Sequence, residues 1–317
     1  MSDVNEADAT RGWEPHRGWG WIWGGQDEVG ALNALTESTT LAAMQRITQG
    51  RTYDLGVLLD RTSFLAPAHV PTGVVAYRTP QGLINQDIGF QKGGVSFNTS
   101  MITISDHAGT QLDGLCHATF GDDHHWYNGF TTREWGRDFG PDRAGAHNIP
   151  PIIARGVLID VAAHLGLAEL QAGHPISPGE LQSALESQGT TIEPGTVVLV
   201  RTGAMRHWGD VGADHGSIKG PDTAGLTLAA ARWLVEEKGA ILVGSDTSTV
   251  ECVPPFDGDN VSPVHKYLLV DQGVHMGELH YLEDLAASRA YDFCYIALCP
   301  KVRATTAGFA LRPIAVV

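Results

Sequence analysis

The chain has 317 residues, of which 43% are hydrophobic and 18% charged, and a formal net charge of −15. That length buries a substantial core in one large domain or two, and the composition is that of a soluble globular protein. The acidic balance argues against nucleic acid or an anionic membrane as a partner, and no apolar run reaches the roughly 18 residues needed to span a bilayer.

Residues 1–12 are polar and acidic, with no apolar core of a secretory signal, and are expected to be a disordered tail. The cysteines at 116, 252, 294 and 299 form no CxxC pair, so a cytoplasmic, reducing setting is expected. Trp13, Trp19, Trp21 and Trp23 follow in the Gly-rich stretch RGWGWIWGG, which is too punctuated for a helix. They fit an arm that supplies buried aromatic area, or a wall of an aromatic substrate pocket, with Trp23 the candidate for that wall. Thr36 is placed to cap a helix over 37–49, whose Leu41, Met44 and Ile47 recur at helical spacing before Gly50. Tyr53–Val57 reads as a strand, and 60–95 as a loop-rich stretch with Pro67, Pro71 and Pro80. Ser100–Ile104 is strand-like.

Directly after it comes SDHAGTQLDGLCH, in which His107, Gln111, Asp113 and His117 are spaced 4, 2 and 4 apart, with Gly109 and Gly114 between them. Each glycine costs a helix about 1 kcal/mol, so a strand end running into a tight loop is the better reading. Imidazole with carboxylate is a ligand set for zinc, manganese or iron. HAGTQLDGLCH resembles the H-x-G-T-H-x-D-x-P-x-H signature of the cyclase family of metal-dependent hydrolases, which includes bacterial kynurenine formamidase and isatin hydrolase. His107, Gly109, Thr110, Asp113 and His117 match in register. Gln111 stands where the family has its second histidine, and Leu115 where it has proline. The resemblance implies an α/β fold, a swivelling β/β/α single domain over residues 13–317, in which His107, Gln111 and Asp113 hold the ion and His117 is the general acid/base. The order D-E-x-G, leucine-rich helix, Y-D-L is similar to the start of longer family members.

Beyond the motif, Asp122-Asp123-His124-His125 is tempting as a second metal cluster. Adjacent side chains on an extended chain diverge, however, so His124 and His125 read as loop residues near the pocket mouth. An aromatic before Tyr127-Asn128-Gly129 is similar to the family, which makes Trp126 a substrate-side candidate. Gly156–Val161 and Thr196–Gly203 are apolar runs of the kind buried on both faces of a parallel sheet. Ser177-Pro178-Gly179-Glu180 is a capping box that opens a helix to about Ser187, and Thr227–Lys238 is an amphipathic helix closed by Gly239. Strand Ala240–Gly244 follows. Asp246, at its family-like G-S-D-T end, is either a substrate-side group or a turn cap. Ser262 and Pro263 open a short helix that carries His265, and Glu278 lies thirteen residues further on. These two resemble the family's downstream histidine and glutamate, which complete the metal centre in binuclear members. His275 and His280 have no such match and read as ordinary. Tyr295–Leu298 and Phe309–Val317 are strand-like or apolar, and no repeat or interdomain linker is visible.

The resemblance implies hydrolysis of a small amide, lactam, lactone or aryl formamide by a metal-activated water, with a divalent ion, manganese or zinc, as the expected cofactor. Gln111 is a poorer zinc ligand than imidazole, which favours one ion; His265 and Glu278 would then contact it, orient its water or bind substrate. A cyclase or lyase using the same residues, and a catalytically inactive metal-binding or ligand-binding homologue, are the alternatives. No G-x-S-x-G, G-x-G-x-x-G or P-loop is present. The expected partners are a small-molecule substrate and further copies of the chain in a homodimer or homotetramer.

Overall fold

The computed structural model describes residues 12–86, 95–208, 218, 222–255 and 261–317. Apart from Gly12, the expected disordered tail lies outside the described residues. The strands are β1 Thr52–Asp54, β2 Gly73–Arg78, β3 Thr99–Thr103, β4 Gln111–Asp113, β5 Ile152–Asp160, β6 Pro175–Ile176, β7 Val197–Arg201, β8 Gly225–Leu226, β9 Leu242–Ser245, β10 His275–Glu278, β11 Asp292–Ala297, β12 Ala307–Gly308 and β13 Ile314–Val316. The main sheet runs β1-β13-β11-β5-β7-β9-β10-β4-β12. Its middle, β5-β7-β9-β10, is parallel, and both flanks are antiparallel. β7 and β9 are buried at every position, as continuous apolar runs covered on both faces should be. This is the α/β class that the alternation of strands and helices predicts.

Helices cover the sheet: α1 Glu37–Met44, α2 Pro178–Gln188, α3 Leu228–Arg232 and α4 Pro263–His265. α2 follows its sequence signals closely. Ser177 and Glu180 form a reciprocal capping box, Pro178 is the first helical residue, and Gly189 closes the helix at φ 65°. α3 continues as a π-helical turn, Trp233–Glu237, so the expected single helix to Lys238 changes pitch halfway. α1 stops at Met44, short of the expected Gly50. The periodic pattern misleads because Leu41 and Met44 are exposed, and Ala43 is the helix residue that is buried.

The expected loop at 60–95 contains β2 and a helical segment, Pro80–Asn85. β2 pairs antiparallel with β3, apart from the main sheet, and Val74, Val75, Tyr77, Met101 and Ile102 are exposed. The strand expected before the motif therefore belongs to this hairpin. The Trp-rich arm lies over its own chain: the indole N–H groups of Trp13, Trp19 and Trp21 donate to the carbonyls of Val235, Ala240 and Val270. Among the described residues no helix is long and apolar enough to cross a membrane.

Candidate metal centre

The motif does form a strand, but in the main sheet. β4 lies between β10 and β12, with Gln111 opposite Glu278 and Asp113 opposite Met276 and Ala307. Side chains two apart on a strand share a face, so Gln111 and Asp113 point the same way and Gln111 faces Glu278. The Gln111 amide nitrogen donates to Glu278 Oε2 at 2.5 Å. A turn before β4 brings His107 back over it: Ala108 N donates to Ser105 O, and Gly109 takes φ 65°. A Cβ at Gly109 would also come within 2.6 Å of Leu59, so this position requires glycine. After β4 a second turn, closed by His117 N donating to Gly114 O at 2.9 Å, brings His117 to the same side. The His107 and His117 rings lie 4.1 Å apart between centroids.

His265 arrives from α4. Its Nδ1 is hydrogen-bonded to Glu251 Oε1, and Glu251 Oε2 accepts from Val264 N at 3.0 Å. One carboxylate thus caps α4 and fixes the imidazole it carries, whereas Ser262, the expected cap, makes no side-chain cap bond. His265 Nε2 is left facing Glu278 Oε1 at 3.6 Å and Asp113 Oδ2 at 4.0 Å. His107 Nδ1 lies 3.4 Å from Asp113 Oδ1 on the other side. Two sets of ligand atoms result, His107-Asp113-His117 and Asp113-His265-Glu278, each within 4.8 Å and sharing Asp113.

The electrostatics agree with a cation site. Asp113 is fully buried, and neither carboxylate oxygen has a hydrogen-bond partner; Gln111 Oε1 is equally alone. An ionised carboxylate so placed is costly unless it is paired or coordinates a metal. Burial would raise the Asp113 carboxyl, but His117, His107 and His265 hold it at about 2. Burial and the Asp113 charge push Glu278 up to about 7. Burial would lower His265, yet Glu251 and Glu278 lift it to about 10. Burial, with His107 and His265 nearby, lowers His117 to about 4 despite Asp113, so its imidazole is neutral at neutral pH. Two carboxyl groups set among imidazoles, with no thiolate, fit a divalent ion held by nitrogen and oxygen.

A chamber of about 110 Å³ opens on these groups, lined by His107, His117, His265 and Glu278 together with Phe64, His69 and Ser248. The structure thus brings together His107, Gln111, Asp113, His117, His265 and Glu278. It does not bring Trp23 or Trp126 to the chamber. Trp23 stacks on Trp19 at 6.2 Å and packs against the core, and Trp126 is buried within it. Both supply packing area here. Asp246 accepts from Thr202 N, Thr202 Oγ1 and Gly203 N at 2.7–2.8 Å and ties the ends of β7 and β9 together. It lines a cavity of about 60 Å³ that shares Ser248 and Leu279 with the chamber. Its contacts are those of a cap.

His124 and His125 do not line the chamber, and His125 pairs with Asp123 at 2.7 Å. His275 hydrogen-bonds the Asp113 carbonyl at 2.8 Å, and His280 bonds the Tyr295 hydroxyl at 2.9 Å, both buried structural contacts. Two residues were not found from sequence, Glu251 and His69. His69 stacks on His107 at 4.9 Å. Neither stands at a ligand spacing from the motif, so no signal marks them.

A family model described as "Putative cyclase" matches residues 43–252. Among solved structures, one described as a novel cyclase is 28% identical, covers 94% of this chain and 100% of that one, and superposes with a TM-score of 0.82. Isatin hydrolase A from Ralstonia solanacearum is 18% identical over 89% of this chain and 97% of that one, at TM-score 0.61. Isatin hydrolase A from Labrenzia aggregata, bound to benzyl benzoate, is 20% identical over 84% and 93%, at 0.56. None of the curated proteins compared matches.

Proposed function

The chain belongs to the cyclase family, and on that premise we propose that it is a metal-dependent hydrolase of a small amide, lactam, lactone or aryl formamide. The observation that carries the reading is the Asp113 carboxylate, fully buried, without a hydrogen-bond partner and shared by two sets of metal-ligand atoms. Asp113 and His107 would hold the ion, with His265 and Glu278 completing its surroundings and Gln111 orienting Glu278. A divalent ion there lowers the pKa of a neighbouring water and polarises a carbonyl oxygen. His117, neutral at neutral pH and facing the chamber, takes a proton from the attacking water as oxygen bonds to the carbonyl carbon. It returns that proton to the nitrogen or oxygen that leaves as the old bond breaks. Glu251 keeps Nδ1 of His265 engaged, so that Nε2 faces the centre. The donor set suits manganese or zinc, and Gln111, a poorer zinc ligand than imidazole, favours one ion.

Elemental analysis of purified protein, with turnover measured in parallel, tests this. Wild type is expected to carry a divalent metal. His107→Ala and Asp113→Ala should lose both metal and activity, whereas His117→Ala should keep the metal and lose about 10²–10⁴ in turnover. A metal-free, active wild type overturns the reading. A metal-free His117→Ala makes His117 a ligand, and a product that incorporates no oxygen from water replaces hydrolysis by cyclase or lyase chemistry.

A further inference from the structure

The chamber at the metal centre is too small for the molecule it would process. Its volume is about 110 Å³, and the cavity beyond Ser248 and Leu279 adds about 60 Å³, whereas sites for small organic ligands usually span about 300–1,000 Å³. The body of a substrate must therefore lie elsewhere while its carbonyl sits in the chamber. A space of the right size adjoins it. A cleft of about 820 Å³ lies between the segment before β2, the end of β3 and the loops on either side of β12, and His69 lines both the cleft and the chamber.

The cleft has a defined chemistry. Val70, Ile102, Ile104, Val302 and Phe309 line it, and Val70, Ile102 and Val302 are 56%, 64% and 46% exposed, apolar surface that a ligand would withdraw from water. The carboxylate at its edge, Asp106, is already engaged. It accepts from Thr306 N at 2.7 Å, Thr306 Oγ1 at 3.0 Å and Ala307 N at 3.3 Å. Among the described residues no lysine or arginine lines the cleft to receive an anion. The ring of His69, stacked on His107, stands at the junction.

We infer that this cleft is the recognition site for an uncharged aliphatic or aryl substituent of the substrate, which lies along Val70, Ile102 and Phe309 while the carbonyl group passes His69 to the metal centre. The preferred substrate is then an amide or ester with an extended apolar group, and selectivity resides in the hairpin and the C-terminal loop rather than in the ligand cluster. The inference rests on the metal-dependent reading above.

The test uses metal-loaded protein and a series of hydroxamates, whose head group chelates divalent ions: acetohydroxamate, hexanohydroxamate and octanohydroxamate, measured by calorimetry. Affinity should rise along the series, by about two- to fourfold for each methylene that enters the cleft. Ile102→Asp and Phe309→Asp should flatten that rise, with acetohydroxamate as the internal reference in each variant. If acetohydroxamate binds and chain length makes no difference in wild type, the cleft is not the recognition site, although the metal reading survives. If no hydroxamate binds the metal-loaded protein, both readings fall. If Ile102→Asp converts an oligomer to a monomer in sedimentation and leaves the length series intact, the cleft is covered by a second copy and the inference is overturned.

Discussion

At the scale of single residues, the centre is organised by one carboxylate that is not itself among the candidate ligands. Glu251 bonds His265 and caps the helix that carries it, and its own backbone is held in an unfavourable shape to do so. Glu251 N donates to Thr249 O at 2.5 Å, a three-residue turn about Val250, whose φ is 56°. A β-branched residue at positive φ costs about 1–3 kcal/mol, and such strain persists where the surroundings demand it. Gly225 makes room, since a Cβ there would come within 2.4 Å of the Glu251 carbonyl carbon. Glu251→Gln retains the volume but can no longer accept at both oxygens. It is expected to weaken metal binding by about 10–100-fold, the usual effect of removing a partner that orients a ligand. Competition titration with a chelator measures this; an unchanged affinity would leave Glu251 a helix cap only. His107, Asp113 and His117 were legible in sequence because close spacing around glycine is itself a chemical signal. Glu251 was not, because its relation to His265 exists only once a strained turn has folded.

At the scale of elements, the sequence rules succeed where the local chain decides and fail where a distant group supplies what they look for. The Ser177 side chain accepts from Glu180 N at 3.3 Å and Glu180 answers at the Ser177 N–H, whereas Ser262 has the right neighbours and makes no cap bond, because Glu251 has taken that place. Ser177→Ala should therefore destabilise the fold by about 1 kcal/mol, while Ser262→Ala should stay within about 0.5 kcal/mol. Urea denaturation of the two variants decides this, and equal losses would mean that Ser262 caps after all. β2, and with it the hairpin that it makes with the expected strand β3, escaped the reading for a related reason. Its apolar residues are exposed rather than alternately buried, so no period of two is imposed on them.

At the scale of the molecule, the class of fold was readable from the order of strands and helices, and the parallel middle of the sheet from apolar runs in β5, β7 and β9. The placement of β4 was not. It is gripped by β10 and β12, and those pairings depend on residues far along the chain. Thr306 hydrogen-bonds His107 at 3.0 Å across 199 positions and Asp106 across 200. The ligand cluster and its clamp are thus separated in time as well as in sequence. Synthesis along the chain produces His107 199 residues before Thr306 and must leave the motif unfinished until then, since such long-range pairings form late. A chain stopped at Pro300 contains every candidate ligand and lacks β12 and Thr306. It is expected to retain no metal in elemental analysis, and retention would show that β10 alone suffices to hold β4. The centre is therefore expected to be protected from scavenging the wrong ion during synthesis, simply because it does not yet exist.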